Sequence, residues 1–155
     1  MKTLAILSVL TILGMASILP AADTQPASKP ATQPAASTQS ALQPIRYERT
    51  GGVPTANDVI EITDAGAVVV QGRRMGTGKG QLKPDQISTL IPLFADWKTL
   101  KDSYPAPAGS ADGFQLKIRY GGNEVAANEL NESLPVSFTA VRKALEQIAR
   151  DITGK

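Results

Sequence analysis

Phe114-Gln115-Leu116-Lys117-Ile118-Arg119-Tyr120 is the stretch of sequence that decides the fold of this chain. Its even-numbered residues are apolar and its odd-numbered residues are polar, which is the period of a β-strand with one buried face. Gly121-Gly122-Asn123 follows as a turn, and residues 124–128 form a return strand, so the stretch predicts a β-hairpin. We expect the other elements to cover the apolar face of this hairpin.

Three further strands are predicted before the hairpin, at residues 45–50, 58–63 and 67–71. The first two alternate between polar and apolar residues, and the third is rich in β-branched valine. We expect them to pair sequentially and antiparallel, since strands that follow one another in sequence usually lie side by side.

Two amphipathic helices are predicted to cover this sheet. The first opens with Leu82-Lys83-Pro84-Asp85-Gln86, where proline and aspartate suit a helix start, and Pro92 should kink or split it. The second begins at Pro135. Each carries five apolar residues at helical spacing: Ile87, Leu90, Ile91, Phe94 and Trp97, and then Phe138, Val141, Leu145, Ile148 and Ile152. The prediction is an α+β domain over residues 45–155, with a single antiparallel sheet of about five strands in the order β-β-β-α-β-β-α.

The N-terminal part has the pattern of an exported protein. Met1-Lys2 leads into an uncharged apolar run to Leu19, followed by small residues, so residues 1–22 are predicted to be a signal peptide. An uncleaved membrane anchor is the alternative. Residues 23–44 repeat a Thr-Gln-Pro-Ala theme and predict a disordered tether. We therefore expect an extracytoplasmic, secreted or periplasmic, location.

Composition excludes several classes of function. The 155 residues contain no cysteine and no histidine, which removes disulfides, thiolate catalysis and histidine-based catalysis. A net charge of +2 with no basic stripe argues against nucleic-acid binding. We expect a monomer with no cofactor, no metal and no catalytic residue. A hydrolase using only carboxylates remains as an alternative, with Asp112, Glu61 and Glu124 as the strand-associated candidates.

Two segments are predicted to be exposed loops. Gly72 to Gly80 is rich in glycine and contains Lys79, but its spacing does not match a phosphate-binding loop, so we interpret it as a mobile basic loop. Tyr104 to Ser110 contains two prolines and predicts a semi-rigid loop without regular structure. The candidate partner-binding residues are Arg73, Arg74, Lys79, Tyr104 and Pro105.

Four motifs together resemble the emfourin family, small bacterial protein inhibitors of thermolysin-like metalloproteases. They lie at the first strand, the middle helix, the central strand and the last helix: Tyr47-Glu48-Arg49-Thr50-Gly51-Gly52, Leu82-Lys83-Pro84-Asp85-Gln86, Ala111-Asp112-Gly113-Phe114-Gln115-Leu116 and Leu134-Pro135. The resemblance spans about residues 45–152, and the Gly72–Gly80 segment has no counterpart in it. It implies a class of function and assigns no inhibitory residue to this chain.

The resulting expectation is a non-enzymatic domain that binds a protein, with a thermolysin-like metallopeptidase as the partner that the resemblance suggests. An inhibitor needs no catalytic group, because a rigid surface that blocks a cleft is sufficient. The alternative is a structural or adaptor module of the cell envelope without inhibitory activity.

Overall fold

The computed structural model describes residues 41–52, 55–110 and 113–155. The predicted signal peptide, most of the predicted tether and Asp112 lie outside the described residues. Within the described ranges, no helix has both the length and the apolar character needed to cross a bilayer.

Over the described residues, the fold consists of seven strands, two α-helices and two short 3₁₀ turns. The strands are β1 (Ile45–Gly51), β2 (Ala56–Ile62), β3 (Ala67–Gln71), β4 (Gly78–Gln81), β5 (Ser103–Tyr104), β6 (Phe114–Tyr120) and β7 (Asn123–Asn128). The helices are α1 (Pro84–Leu90) and α2 (Val136–Thr153), and the 3₁₀ turns are Ile91–Phe94 and Trp97–Thr99.

One sheet joins all seven strands in the order β4-β3-β2-β1-β6-β7-β5. The α+β class is confirmed, as are the sequential antiparallel pairing of β1, β2 and β3 and the hairpin of β6 and β7. The prediction of about five antiparallel strands is wrong in two respects. The sheet has the additional edge strands β4 and β5, and it is mixed, because β5 pairs with β7 in parallel.

Strand β4 lies where we expected a mobile glycine-rich loop. A Cβ atom on Gly78 or Gly80 would lie 2.9 or 3.0 Å from the side chain of Ile152 in α2. The two glycines therefore let the end of α2 approach the strand closely. Because glycine has a low strand propensity, the sequence pattern does not predict this strand. Lys79 lies between them, so its exposed side chain extends from the opposite face of β4.

The core lies on one face of the sheet. Leu116 and Ile118 of β6 are buried, as predicted from the alternation, and Phe138, Val141 and Leu145 of α2 are completely buried against the sheet. Burial of each large apolar side chain contributes about 1.5–3 kcal/mol. Pro92 ends α1 as expected, since the chain continues only as 3₁₀ turns beyond Leu90.

The packed part of the chain begins before Ile45. Leu42 is buried in the core, and the carbonyl oxygen of Pro44 accepts a hydrogen bond of 3.2 Å from the backbone N–H of Gly121. The last residues assigned to the tether thus belong to the folded domain.

Candidate functional site

Four connecting segments meet at one end of the sheet, which we call the loop end. Strand register places them there. Gly51 pairs with Ala56 and with Phe114, and Gln115 pairs with Asn128. The ends of β3 and β5 lie at the same end of the sheet, because Gln71 pairs with Val59 and Tyr104 pairs with Ala127. The loop end consists of residues 51–52, 72–77, 105–110, 113 and 129–133. It contains Arg73, Arg74 and Pro105, three of the five predicted binding residues.

The two predicted binding segments lie on opposite sides of the loop end. Strands β3 and β5 are separated by β2, β1, β6 and β7, which makes five strand spacings, or about 24 Å. That separation is too large for one small-molecule pocket. A standard protein interface covers about 800 Å² on each partner, roughly 28 Å across, and so spans both segments.

Asp58 organises the β3–β4 turn from inside the protein. Its side chain is completely buried, and Oδ1 accepts hydrogen bonds from the backbone N–H groups of Arg74 at 2.9 Å and Met75 at 3.3 Å. The backbone N–H of Gly76 donates to the carbonyl of Gly72 at 3.0 Å and closes the turn. A Cβ on Gly72 would lie 2.7 Å from the Cα of Asp58, so the turn packs directly on β2.

This arrangement fixes the backbone while leaving the Arg73 and Arg74 side chains exposed. Sequence reasoning missed Asp58 as a positioning residue. The alternation in β2 could have identified it, because Asp58 lies on the same inward face as the buried residues Ile60 and Ile62.

Two arginines connect the β3–β4 turn to the middle of the loop end. The guanidinium carbons of Arg49 and Arg74 lie 3.8 and 4.6 Å from the centre of the Phe114 ring, as cation–π contacts. Arg49 Nη2 also donates to Glu129 Oε2 at 3.3 Å. Arg49 lies on the covered face of the sheet, the same face as the buried residues Ile45 and Tyr47. The polar–apolar alternation of the sequence predicts an apolar residue at this position.

The second segment is partly regular. Tyr104 belongs to β5, its ring packs against the core, and its hydroxyl accepts a hydrogen bond of 3.2 Å from the backbone N–H of Lys101. The prediction that Tyr104 lies in irregular structure is therefore wrong. Pro105 is exposed, and its carbonyl oxygen accepts a 2.7 Å hydrogen bond from Asn131 Nδ2, which joins this segment to the one after β7. Lys79, in β4, lies outside the loop end.

The uncovered face of the sheet carries a row of charged residues in which two arginines lie between two glutamates. Register aligns Glu61, Arg46, Arg119 and Glu124 across four neighbouring strands. Arg46 forms an ion pair with Glu61, and Arg119 Nη2 lies 2.6 Å from Glu124 Oε2. Glu61 and Glu124 are three strand spacings apart, about 14 Å, which exceeds the separation of about 5–9.5 Å found in glycoside hydrolases.

Glu124 is expected to give this face a small pH dependence. Its hydrogen bond from Arg119, and then the charges of Lys117 and Arg119, hold its pKa below the ordinary value. A lowered pKa stabilises the fold above the unfolded pKa, and this contribution disappears as pH falls through the folded pKa. Because the side chain is one-third exposed, Glu124→Gln should cost less than about 1 kcal/mol at pH 7. Urea unfolding should show a larger deficit at pH 7 than at pH 3, whereas an equal deficit at both would contradict the assignment.

Among the described residues, no group of three or more histidine, cysteine, aspartate or glutamate side chains is arranged to hold a metal ion. Comparison with known protein families and with curated proteins finds no match to this chain.

Proposed function

We propose that this chain is an extracytoplasmic protein-binding domain whose loop end blocks a thermolysin-like metallopeptidase. The class of partner comes from the emfourin resemblance in the sequence. The main observation behind the proposal is that both candidate segments lie at the same end of the sheet. Their separation fits within a standard protein interface.

The loop end is held in place before any partner arrives. Asp58 fixes the β3–β4 turn, Phe114 supports Arg49 and Arg74, and Asn131 ties the Pro105 segment to the chain after β7. Preorganisation of this kind reduces the entropy lost on binding, which is the main requirement of an inhibitor that works by obstruction.

Arg73 and Arg74 are expected to contribute most of the polar binding energy on their side of the interface. Arginine is enriched among residues whose truncation costs more than about 1 kcal/mol of binding. The double variant Arg73→Ala/Arg74→Ala should raise the inhibition constant for thermolysin, or for a co-secreted metallopeptidase, by about tenfold or more. The measurement is a titration of protease activity with the purified chain.

Lys79→Ala is the matched control, since it also removes an exposed cation but lies outside the loop end. The Lys79→Ala variant should have the same inhibition constant as the wild-type chain. Unchanged inhibition by a folded Arg73→Ala/Arg74→Ala variant would remove the β3–β4 turn from the interface. Absence of any inhibition by the folded wild-type chain would reject the inhibitor assignment and favour an envelope adaptor.

A further inference from the structure

More than half of the residues that line a cavity beside the loop end are basic. The cavity has a volume of about 220 Å³ and lies between β1, the β3–β4 turn and the last turns of α2. Four basic residues line it: Arg49, Arg74, Arg150 and Lys155. We call it the arginine pocket.

Carboxylates neutralise little of this positive charge, although Arg74 lies over the Phe114 ring and Arg150 Nη2 donates to Gln147 Oε1 at 2.8 Å. Among the described residues, Arg49 pairs with Glu129, but no ion pair within 4.0 Å involves Arg74, Arg150 or Lys155. Arg49 Nε is also buried without a hydrogen-bond partner. Arg150 and Lys155 alone would be explained by the favourable position of cations at a helix C-terminus. Arg49 and Arg74 come from a strand and a turn, so the concentration of cations is not explained by the helix.

Glu146 also lines the pocket, and its Oε1 already accepts a hydrogen bond. The hydroxyl of Tyr47 donates to Glu146 Oε1 at 3.0 Å. Burial, and then the neighbouring Glu146 carboxylate, raise the pKa of Tyr47 well above its ordinary value, so the phenol remains a donor at neutral pH. Among the described residues, no ion pair within 4.0 Å joins Glu146 to a guanidinium group of the pocket.

We propose that the arginine pocket binds the carboxylate of an aspartate or glutamate side chain presented by a protein partner. Guanidinium groups match a carboxylate with paired hydrogen bonds, and Met75 and Ala149 supply apolar wall for the methylene groups of such a side chain. A single negative charge suits the pocket better than the nearly double charge of a phosphate, because Glu146 and the negative end of α2 both repel anions.

The pocket is continuous with the proposed interface. Arg74 belongs to both, and Lys155 lies against Gly76 of the β3–β4 turn. A partner seated on the loop end would therefore bring its own side chains to the mouth of the pocket. This inference deepens the proposed function by assigning an acidic anchor residue to the partner, and it rests on the loop end being the binding surface.

The test uses a simple probe, so that it does not depend on the identity of the partner. The ¹⁵N-labelled chain is titrated by NMR with an alanine-glutamate-alanine tripeptide with blocked ends, and separately with the glutamine counterpart and with inorganic phosphate. The glutamate peptide should shift the backbone amides of Met75, Ala149 and Arg150 with millimolar affinity. The glutamine peptide should leave them unchanged, and phosphate should bind more weakly than the glutamate peptide.

The variant Arg74→Gln/Arg150→Gln should weaken binding of the glutamate peptide by about tenfold or more, since two charge-assisted hydrogen-bond donors are lost. Both side chains are exposed, so the fold should persist. Lys143→Gln is the control, because Lys143 is an exposed cation on the same helix that does not line the pocket.

Equal binding of the two peptides, stronger binding of phosphate, or equal affinity in the double variant and in Lys143→Gln would each overturn the proposal. Failure of the wild-type chain to inhibit any protease, with the glutamate peptide still bound at the pocket, would reject the proposed protease target alone.

Discussion

Replacement of Trp97 by alanine is expected to lower the free energy of unfolding by about 3–5 kcal/mol. The Trp97 side chain is 1% exposed, and its ring contacts Phe94 edge-on at 5.1 Å and stacks with Phe138 of α2 at 6.0 Å. Its Nε1 also donates to the carbonyl of Asn123 at 3.4 Å, at the start of β7. The residue thus joins the 3₁₀ segment to α2 and to the sheet, and its removal leaves a cavity among all three.

Urea unfolding followed by far-UV circular dichroism measures this effect, since the variant lacks the only tryptophan of the chain. Lys98→Ala is the matched control in the same turn, where the side chain is exposed, and it should change stability by less than about 0.5 kcal/mol. A Trp97→Ala variant as stable as Lys98→Ala would show that the aromatic cluster does not hold the helical layer to the sheet.

Replacement of Asp58 by alanine is expected to cost about 2–4 kcal/mol and to release the β3–β4 turn. Two backbone donors, those of Arg74 and Met75, lose their acceptor, and each unsatisfied donor costs about 1–3 kcal/mol where it stays away from water. Because the turn carries Arg73 and Arg74, binding to the partner should weaken together with stability.

Urea unfolding gives the free energy, and amide hydrogen exchange at Arg74 and Met75 reports on the turn itself. Asp64→Ala provides the control, because it removes an exposed carboxylate from the turn at the opposite end of β2. If Asp58→Ala matched Asp64→Ala in stability, and exchange at the two amides stayed slow, Asp58 would not be the residue that positions the turn.

The sequence predicts those elements whose apolar residues recur with the period of a strand or a helix. Leu116 and Ile118 alternate with polar residues, and Phe138 and Leu145 recur at helical spacing, so the residue pattern alone identifies their buried faces. The edge strands have no such pattern. Gly78 and Gly80 belong to β4, which pairs with β3, and Ile152 packs closely against them, which is a contact between residues far apart in sequence.

Part of the candidate site can likewise be predicted from the sequence, and part cannot. Loop composition identifies Arg73, Arg74 and Pro105 as exposed, but it does not show that strand register brings both segments to one end of the sheet. The arginine pocket joins Arg49, Arg74 and Arg150, which are separated by long stretches of chain. Only the tertiary arrangement of β1 and α2 places these side chains together, so no local spacing predicts the pocket.

Hydrogen exchange of the chain, alone and with a catalytically inactive thermolysin-like protease, tests the loop end as the binding surface most directly. We predict slower exchange in residues 72–77, 105–110 and 129–133, with no change at the opposite end of the sheet, in residues 63–66 and 121–122. Protection confined to residues 63–66 and 121–122, or exchange unchanged throughout the chain under conditions that inhibit the active protease, would contradict the assignment of the loop end as the binding surface.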